Sequence, residues 1–176
     1  MLDSKAITYD PDYEGPIVSV HGLRNAFGEQ VVHDNLDLDV HRGEIIGVVG
    51  GSGTGKSVLM RSIIGLQTPK EGEIRVFGEQ ILGKADSHTI EIRKSWGVLF
   101  QGGALFSTLT VAENVMVPIR EFYPDMDREF RREVAKYKVC LSGLPPDAAP
   151  KYPSELSGGM RKRAGIARAL ALDPEL

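Results

Sequence analysis

The chain has 176 residues, a mass of 19.2 kDa and a net charge of −3. This length supports one domain with a core, and the charge gives no reason to expect a nucleic-acid partner. The single cysteine, Cys140, excludes an intramolecular disulfide and a cysteine-built metal cluster and is typical of a reducing compartment. No apolar run is long enough to cross a bilayer, and the acidic first residues are unlike a signal peptide. We therefore expect a cytosolic protein that reaches a membrane only by docking onto another subunit.

The first part of the chain predicts an N-terminal arm and a small layer of strands. Residues 1–16 show no clear period, and we interpret them as a loose arm. A strand is predicted to open at 17–20, followed by a turn at Gly28-Glu29. Residues 36–40 and 72–78 alternate apolar and polar side chains, which is typical of half-buried strands. Together these segments predict a small antiparallel layer.

Two continuous apolar runs, at 44–49 and 96–100, predict buried strands of a parallel sheet. The first run leads into the glycine-rich segment 50–57, GGSGTGKS, and then into 58–64, which we interpret as a helix. Strand, loop and helix in this order are the context that a G-x-x-x-x-G-K-[ST] phosphate loop requires. The alternative is a glycine-rich turn that binds nothing.

Each residue type in this loop has a chemical role. Glycines let successive backbone N–H groups turn inward around anionic oxygens, and the helix start adds unpaired donors and a positive dipole end. Lys56 would supply a charge for the β- and γ-phosphates, and Ser57 would supply a hydroxyl ligand for Mg²⁺. The candidate nucleotide-binding residues here are Gly50, Gly51, Ser52, Gly53, Thr54, Gly55, Lys56, Ser57 and Val58.

The second half of the chain is predicted to be mostly helical. Thr110-Val111-Ala112-Glu113 forms a capping box before a short helix, which Pro118 is expected to bend or end. Apolar residues at helical spacing predict an amphipathic helix over 127–141, and a last helix is expected over 158–171. Gln101 follows an apolar run, at the strand end where open α/β sheets bind ligands.

The segment 152–161 narrows the class of phosphate-loop protein. It contains Leu156-Ser157-Gly158-Gly159, and over nearly all of 17–176 the chain resembles the ATP-binding subunits of ABC transporters. The resemblance matches Gln101 to a Q-loop residue that contacts Mg²⁺ or the attacking water. It matches Phe27 to an aromatic residue that stacks on adenine, and it implies ATP and Mg²⁺ as ligands. The alternatives are an ordinary capped surface helix, a polar strand-end residue for Gln101 and a core phenylalanine for Phe27.

The resemblance also implies the fold and the domain organisation. The implied fold class is α/β: a P-loop NTPase with a RecA-like parallel core, an antiparallel β-subdomain and a helical signature subdomain over about 102–160, incomplete at the C-terminus. The ATP-binding domain would span 17–176. Ser157 can cap the last helix, and Gly158 and Gly159 let a phosphate approach its first amides. By the resemblance, that phosphate is the γ-phosphate of ATP on a second subunit in a head-to-tail dimer.

Within that family the chain resembles the ATPases of Mla-type systems, also called Ttg2 or Mkl type. Two features carry this resemblance: Gly-Ala-Leu-Phe at 103–106 and Met160 in place of the commoner glutamine. It implies a permease docked near 102–117, an MCE-type lipid carrier, and phospholipid transport between inner and outer membranes from the cytoplasmic face of the inner membrane. Another substrate, such as an amino acid or a metal, a non-transport regulatory module and a soluble kinase are the alternatives.

The last residues of the chain, a short basic run and the four histidines also carry predictions. The chain ends at Asp173-Pro174-Glu175-Leu176, before the stretch where the family places its Mg²⁺ aspartate and general-base glutamate, so we expect a partial subunit with little hydrolysis of its own. The basic run 161–163 is interpreted as a solvated face that could also meet an acidic partner surface. The four histidines lack metal spacing and are interpreted as surface or structural residues: His21, His33, His41 and His88.

Overall fold

The computed structural model describes residues 13–84 and 86–176, with side chains from 89 onward in the second range. Most of the arm predicted over 1–16 therefore lies outside the described residues. The chain divides into two compact units, Met1–Ile92 and Arg93–Leu176.

The first unit is built on an antiparallel sheet. Its strands are β1 (Val18–Phe27), β2 (Gln30–Val40), β3 (Glu71–Val76) and β4 (Glu79–Gln80), in the order β2-β1-β3-β4. Val20, Leu23, Ile74 and Val76 have no exposed surface and form the centre of the core. The predicted turn at 28–29 and the predicted strands at 36–40 and 72–78 are confirmed.

One helix and most of a second belong to this unit. Helix α1 (Lys56–Ile63) follows the glycine-rich loop, as predicted, and ends just before Gly65, whose φ of 75° suits a helix stop. Helix α2 (Asp86–Lys94) was not predicted, because its sequence has no clear apolar period.

The prediction of a buried strand at 44–49 is wrong for this chain. Residues 44–50 have no regular secondary structure, and Ile45 and Val49 are 97% and 91% exposed. A strand needs neighbours that bond its N–H and C=O groups, and no segment in the described ranges pairs with this run. The prediction at 96–100 is wrong for the same reason. Its backbone bonds within the described residues do not form a ladder: at its start Leu176 accepts from the Gly97 N–H and donates to the Ser95 carbonyl oxygen, and at its end the Phe100 carbonyl oxygen accepts from the Gly103 N–H of the following turn.

The second unit packs three helices around one core. They are α3 (Val111–Phe122), α4 (Arg128–Leu141) and α5 (Gly158–Ala169), and two short 3₁₀ turns lie between α4 and α5. Val111, Val115, Ile119, Val139 and Ala164 are at most 1% exposed at their centre. None of the helices in the described ranges is long and apolar enough to cross a membrane.

Helix α3 continues through Pro118 to Phe122, so of the two expected effects, bending or ending the helix, the proline does not end it. A proline inside a helix costs about 3 kcal/mol or more. Val115 and Ile119 flank it and are both buried, and each such side chain contributes roughly 1.5–3 kcal/mol when it leaves water. Packing of the apolar face therefore offsets the lost hydrogen bond.

Candidate functional site

The glycine-rich loop leaves the start of helix α1 open to an anion. Gly55 is the N-cap residue, with a φ of 90°, and no side chain caps the helix. Gly53 is also left-handed, with a φ of 82°. The first N–H groups of a helix have no partner within it, so an uncapped first turn offers donors and a positive dipole end to a negatively charged ligand.

The ammonium group of Lys56 lies inside the loop. Its Nζ donates to the carbonyl oxygens of Gly50 at 2.8 Å and Gly51 at 2.5 Å, and it lies 3.3 Å from Thr54 Oγ1. Thr54 Oγ1 in turn donates to the Gly51 carbonyl oxygen at 2.9 Å. The loop therefore holds a positive charge beside the uncapped amides, which is the arrangement that binds phosphate oxygens.

Two glycines of the loop are required by close approach. A Cβ at Gly50 would lie 2.9 Å from Thr54 Oγ1. A Cβ at Gly55 would lie 2.4 Å from Val32 Cγ1 and 2.6 Å from His33 Nε2. The other loop residues, including Ser52 and Ser57, are exposed or half-buried at the surface. The Ser57 hydroxyl is of the type that binds Mg²⁺, directly after the lysine, so it fits the metal role predicted for it.

Phe27 is the last residue of β1 and is 47% exposed. It is not a core residue of the small sheet, so that alternative is wrong. An exposed aromatic ring can stack on a planar ligand, and the role predicted for Phe27 fits its position.

The candidate signature begins helix α5. Ser157 is the N-cap, and its Oγ accepts from the Met160 N–H at 3.3 Å, which confirms the predicted cap. Gly158 and Gly159 form the exposed first turn, and nothing lies within 4 Å of a Cβ placed on Gly159. A phosphate group can therefore approach this helix start without steric obstruction from its own chain.

Gln101 is exposed and lies in a 3₁₀ turn, Gln101–Gly103, rather than at the end of a strand. This turn packs directly on helix α5, because a Cβ on Gly165 would lie 2.8 Å from the Gly103 Cα. Arg168 donates to the carbonyl oxygens of Gly103 and Ala104, each at 2.8 Å. The second unit thus brings Gln101 and the signature helix together.

Sequence reasoning missed Gly165 and Arg168, which hold this turn. A glycine inside a predicted helix was the available signal, since it often marks close backbone approach.

The loop 50–57 and Phe27 belong to the first unit, whereas Gln101 and 157–159 belong to the second. In the described ranges, His, Cys, Asp and Glu side chains form no group of three that could hold a metal ion.

Residues 33–176 match the family model described as ABC transporter, and the chain belongs to that family. A probable ribonucleotide transport ATP-binding protein, mkl, of Mycobacterium leprae is 43% identical over 162 residues, or 92% of this chain and 46% of that protein. The intermembrane phospholipid transport system ATP-binding protein MlaF of Haemophilus influenzae is 41% identical, over 91% and 60%. These matches confirm the resemblance to Mla- and Mkl-type proteins.

The chain is also similar to a protein named for another substrate and to a solved ATP-binding cassette. A methionine import ATP-binding protein, MetN, of Brucella abortus is 38% identical over 93% of this chain and 44% of that protein. The chain spans about half the length of the curated relatives it matches. The dimeric ATP-binding cassette MJ0796 bound to ADP and Pi is similar in structure, with a TM-score of 0.80 and 32% identity over 89% of this chain and 70% of that one. The predicted fold class, an α/β ABC-type P-loop NTPase, is therefore confirmed.

Proposed function

We propose that this chain is the nucleotide-binding part of an ATP-hydrolysing subunit that energises an ABC transporter. The observation that carries the proposal is the loop around Lys56, whose ammonium group lies beside the uncapped start of α1. A charge and a set of free amides at one helix start form a site for the triphosphate of ATP.

The other predicted residues take complementary roles in this proposal. Ser57 would bind Mg²⁺ through its hydroxyl, and Gln101 would contact Mg²⁺ or the attacking water. Mg²⁺ when bound would neutralise charge on the transferred phosphoryl group. Phe27, exposed at the end of β1, would stack on the adenine ring.

A second copy of the subunit would complete each site. Ser157, Gly158 and Gly159 form an unobstructed helix start in the second unit, and we place the γ-phosphate of ATP bound by the partner copy against it. The similar MJ0796 cassette is a dimer bound to ADP and Pi, which supports a dimer here, and we propose that its two copies pair head to tail.

We propose phospholipid, moved between inner and outer membranes, as the substrate. Support comes from the Gly-Ala-Leu-Phe segment at 103–106, from Met160 and from the similarity to MlaF. The partners would be a membrane permease, docked near 102–117, and an MCE-type lipid carrier, with the ATPase at the cytoplasmic face of the inner membrane. The similarity to MetN favours an amino acid as the second candidate substrate.

Calorimetry with Mg-ATP and Mg-ADP tests nucleotide binding. We expect binding by the natural chain and a loss of at least about tenfold in affinity, or 1.4 kcal/mol, in Lys56→Ala. Lys70→Ala is the matched control, because it removes another lysine of the first unit that is exposed and outside the loop. Equal affinities of the two variants would contradict the proposal.

Affinity purification from the native membrane tests the substrate. We expect the natural, full-length gene product to bring down a permease and an MCE-type carrier, and vesicles with that permease to bind it. Co-purification with an amino-acid-binding protein would favour the second candidate. Nucleotide-dependent dimerisation without any membrane partner would favour a regulatory module.

A further inference from the structure

A buried polar cluster lies beneath the phosphate loop, formed by Asn25 on β1, His33 on β2 and Ser62 on α1. Their exposed fractions are 1%, 7% and 0%. Asn25 and His33 are partners across the two strands, so the cluster joins the sheet to the helix that follows the loop. Buried polar groups cost free energy unless they are hydrogen-bonded, so the bonds of this cluster constrain the positions of its members.

Hydrogen bonds link all three side chains of the cluster. Asn25 Nδ2 is 3.1 Å from His33 Nδ1 and 3.3 Å from Ser62 Oγ, and Ser62 Oγ donates to the Val58 carbonyl oxygen at 3.0 Å. An amide nitrogen carries two hydrogens and can donate to both neighbours, and Ser62 Oγ also lies 3.4 Å from Asn25 Oδ1. Since an amide nitrogen only donates, this contact fits a neutral imidazole that accepts at Nδ1 and carries its proton on Nε2.

The Nε2 edge of the same ring faces the loop. His33 Nε2 lies 2.6 Å and His33 Cε1 3.1 Å from the position that a Cβ of Gly55 would take. Gly55 is buried, left-handed and directly before Lys56. The imidazole therefore packs against the backbone of Gly55, the residue that caps α1 and directly precedes Lys56.

We propose that His33 is a positioning residue for the phosphate loop, fixed by Asn25 on one side and supporting Gly55 on the other. This rests on the proposed nucleotide-binding function of the loop. The ring sets the position of Gly55, and Gly55 sets the direction of the amides that follow it. A shift of Gly55 toward space left by a smaller side chain would misplace those amides relative to a phosphate, because hydrogen bonds weaken steeply with angle.

Three variants of the 176-residue chain test this assignment. His33→Ala removes the ring, His33→Gln places an amide near the position of the Nε2 edge, and Val20→Ala is a matched control that destabilises the same sheet away from the loop. Affinity for Mg-ADP is measured at a temperature where circular dichroism shows each variant folded. We expect about a tenfold weaker Kd for His33→Ala, equal to 1.4 kcal/mol, recovery in His33→Gln to within about threefold of the natural chain, and no change for Val20→Ala.

A measurement on the nucleotide-free chain tests the positioning role of His33 separately from nucleotide binding by the loop. In ¹H–¹⁵N spectra of the free chain, His33→Ala is expected to shift the amide signals of Gly55 and Lys56, and Val20→Ala is expected to leave them in place. Unshifted signals in folded His33→Ala, or equal effects of Val20→Ala and His33→Ala on the Kd, would overturn the role of His33. Shifted signals in a chain that binds no Mg-ADP would support the positioning contact and refute nucleotide binding.

Discussion

Arg168 of helix α5 binds the backbone of Gly103 through a hydrogen bond of 2.8 Å from its guanidinium group to the glycine carbonyl oxygen. A second bond of 2.8 Å reaches the carbonyl oxygen of Ala104. One side chain thereby holds the turn that contains Gln101 against the helix that begins with the candidate signature. In the proposed function, the two segments would respond to nucleotide as one piece.

Replacing Arg168 tests how much these bonds contribute. A hydrogen bond from a charged donor contributes about 1.5–3 kcal/mol. Because Arg168→Ala removes two of them, it is expected to lower the free energy of unfolding by at least about 1.5 kcal/mol. Arg168→Lys keeps the charge but has no planar fork to reach both carbonyls, and is expected to recover part of the loss. Urea denaturation measures both variants.

Lys162→Ala is the control for this series. Lys162 lies on the same helix and is exposed, and its side chain has no hydrogen bond or ion pair in the described part of the chain. It is expected to change the free energy of unfolding by less than about 0.5 kcal/mol. A loss as large as that of Arg168→Ala would mean that charge on α5, rather than the carbonyl contacts, stabilises the unit.

Two glycines of the phosphate loop separate backbone strain from close packing. Both Gly53 and Gly55 are left-handed, but only Gly55 has neighbours within 4 Å of an added Cβ. Gly53→Ala is expected to cost about 1–2 kcal/mol, the penalty for a left-handed residue with a side chain. Gly55→Ala adds a clash with Val32 and His33 and is expected to cost more. Thermal unfolding compares them, and equal costs would contradict the packing contact.

The sequence predicted what depends on local chemistry and missed what depends on distant partners. The caps at Thr110 and Ser157 and the start of α1 were predictable, because a few adjacent residues determine them. Arg168 was not, because its carbonyl partners lie 64 and 65 residues away in the chain. The apolar run 44–49 has the composition of a buried strand, but a strand forms only where another segment pairs with it.

Lys138 and Asp173 form an ion pair of unequal burial. The lysine side chain is 3% exposed and the aspartate side chain 83% exposed. Replacing the carboxylate with an amide leaves a buried ammonium group without its opposite charge, which costs more than replacing the lysine with an apolar side chain of similar length. Asp173→Asn is therefore expected to destabilise the chain by about 1–3 kcal/mol, and Lys138→Met by less.

Asparagine is chosen at 173 because the residue is left-handed, with a φ of 51°, and asparagine tolerates that conformation. The double variant Asp173→Asn/Lys138→Met is expected to be no less stable than Asp173→Asn alone, because the unpaired charge is gone. Chemical denaturation of the three variants provides the measurement. Strictly additive losses would show that the two side chains do not interact.

The pKa of His33 predicts how stability depends on pH. Burial lowers the pKa of this imidazole below its ordinary value near 6.5, so the unfolded chain binds the proton more readily than the folded one. The stability that the neutral, buried His33 contributes to the folded chain is fully present above about pH 6.5. It is lost as the pH falls from there toward the folded pKa. Protonation would also place an N–H on Nδ1 opposite the Asn25 amide hydrogens.

The charged groups on the elements around His33 do not offset this effect. Arg24 on β1 pairs with Asp34 on β2 at 3.6 Å, Lys56 is bound to loop carbonyls, and Arg61 is exposed on α1. Unfolding free energies of the natural chain and of His33→Gln are measured from pH 8 to pH 5. We expect the natural chain to lose more stability below pH 6.5 than the variant, because glutamine does not titrate. Parallel curves would show that His33 carries the same pKa folded and unfolded, and that the cluster does not keep it neutral.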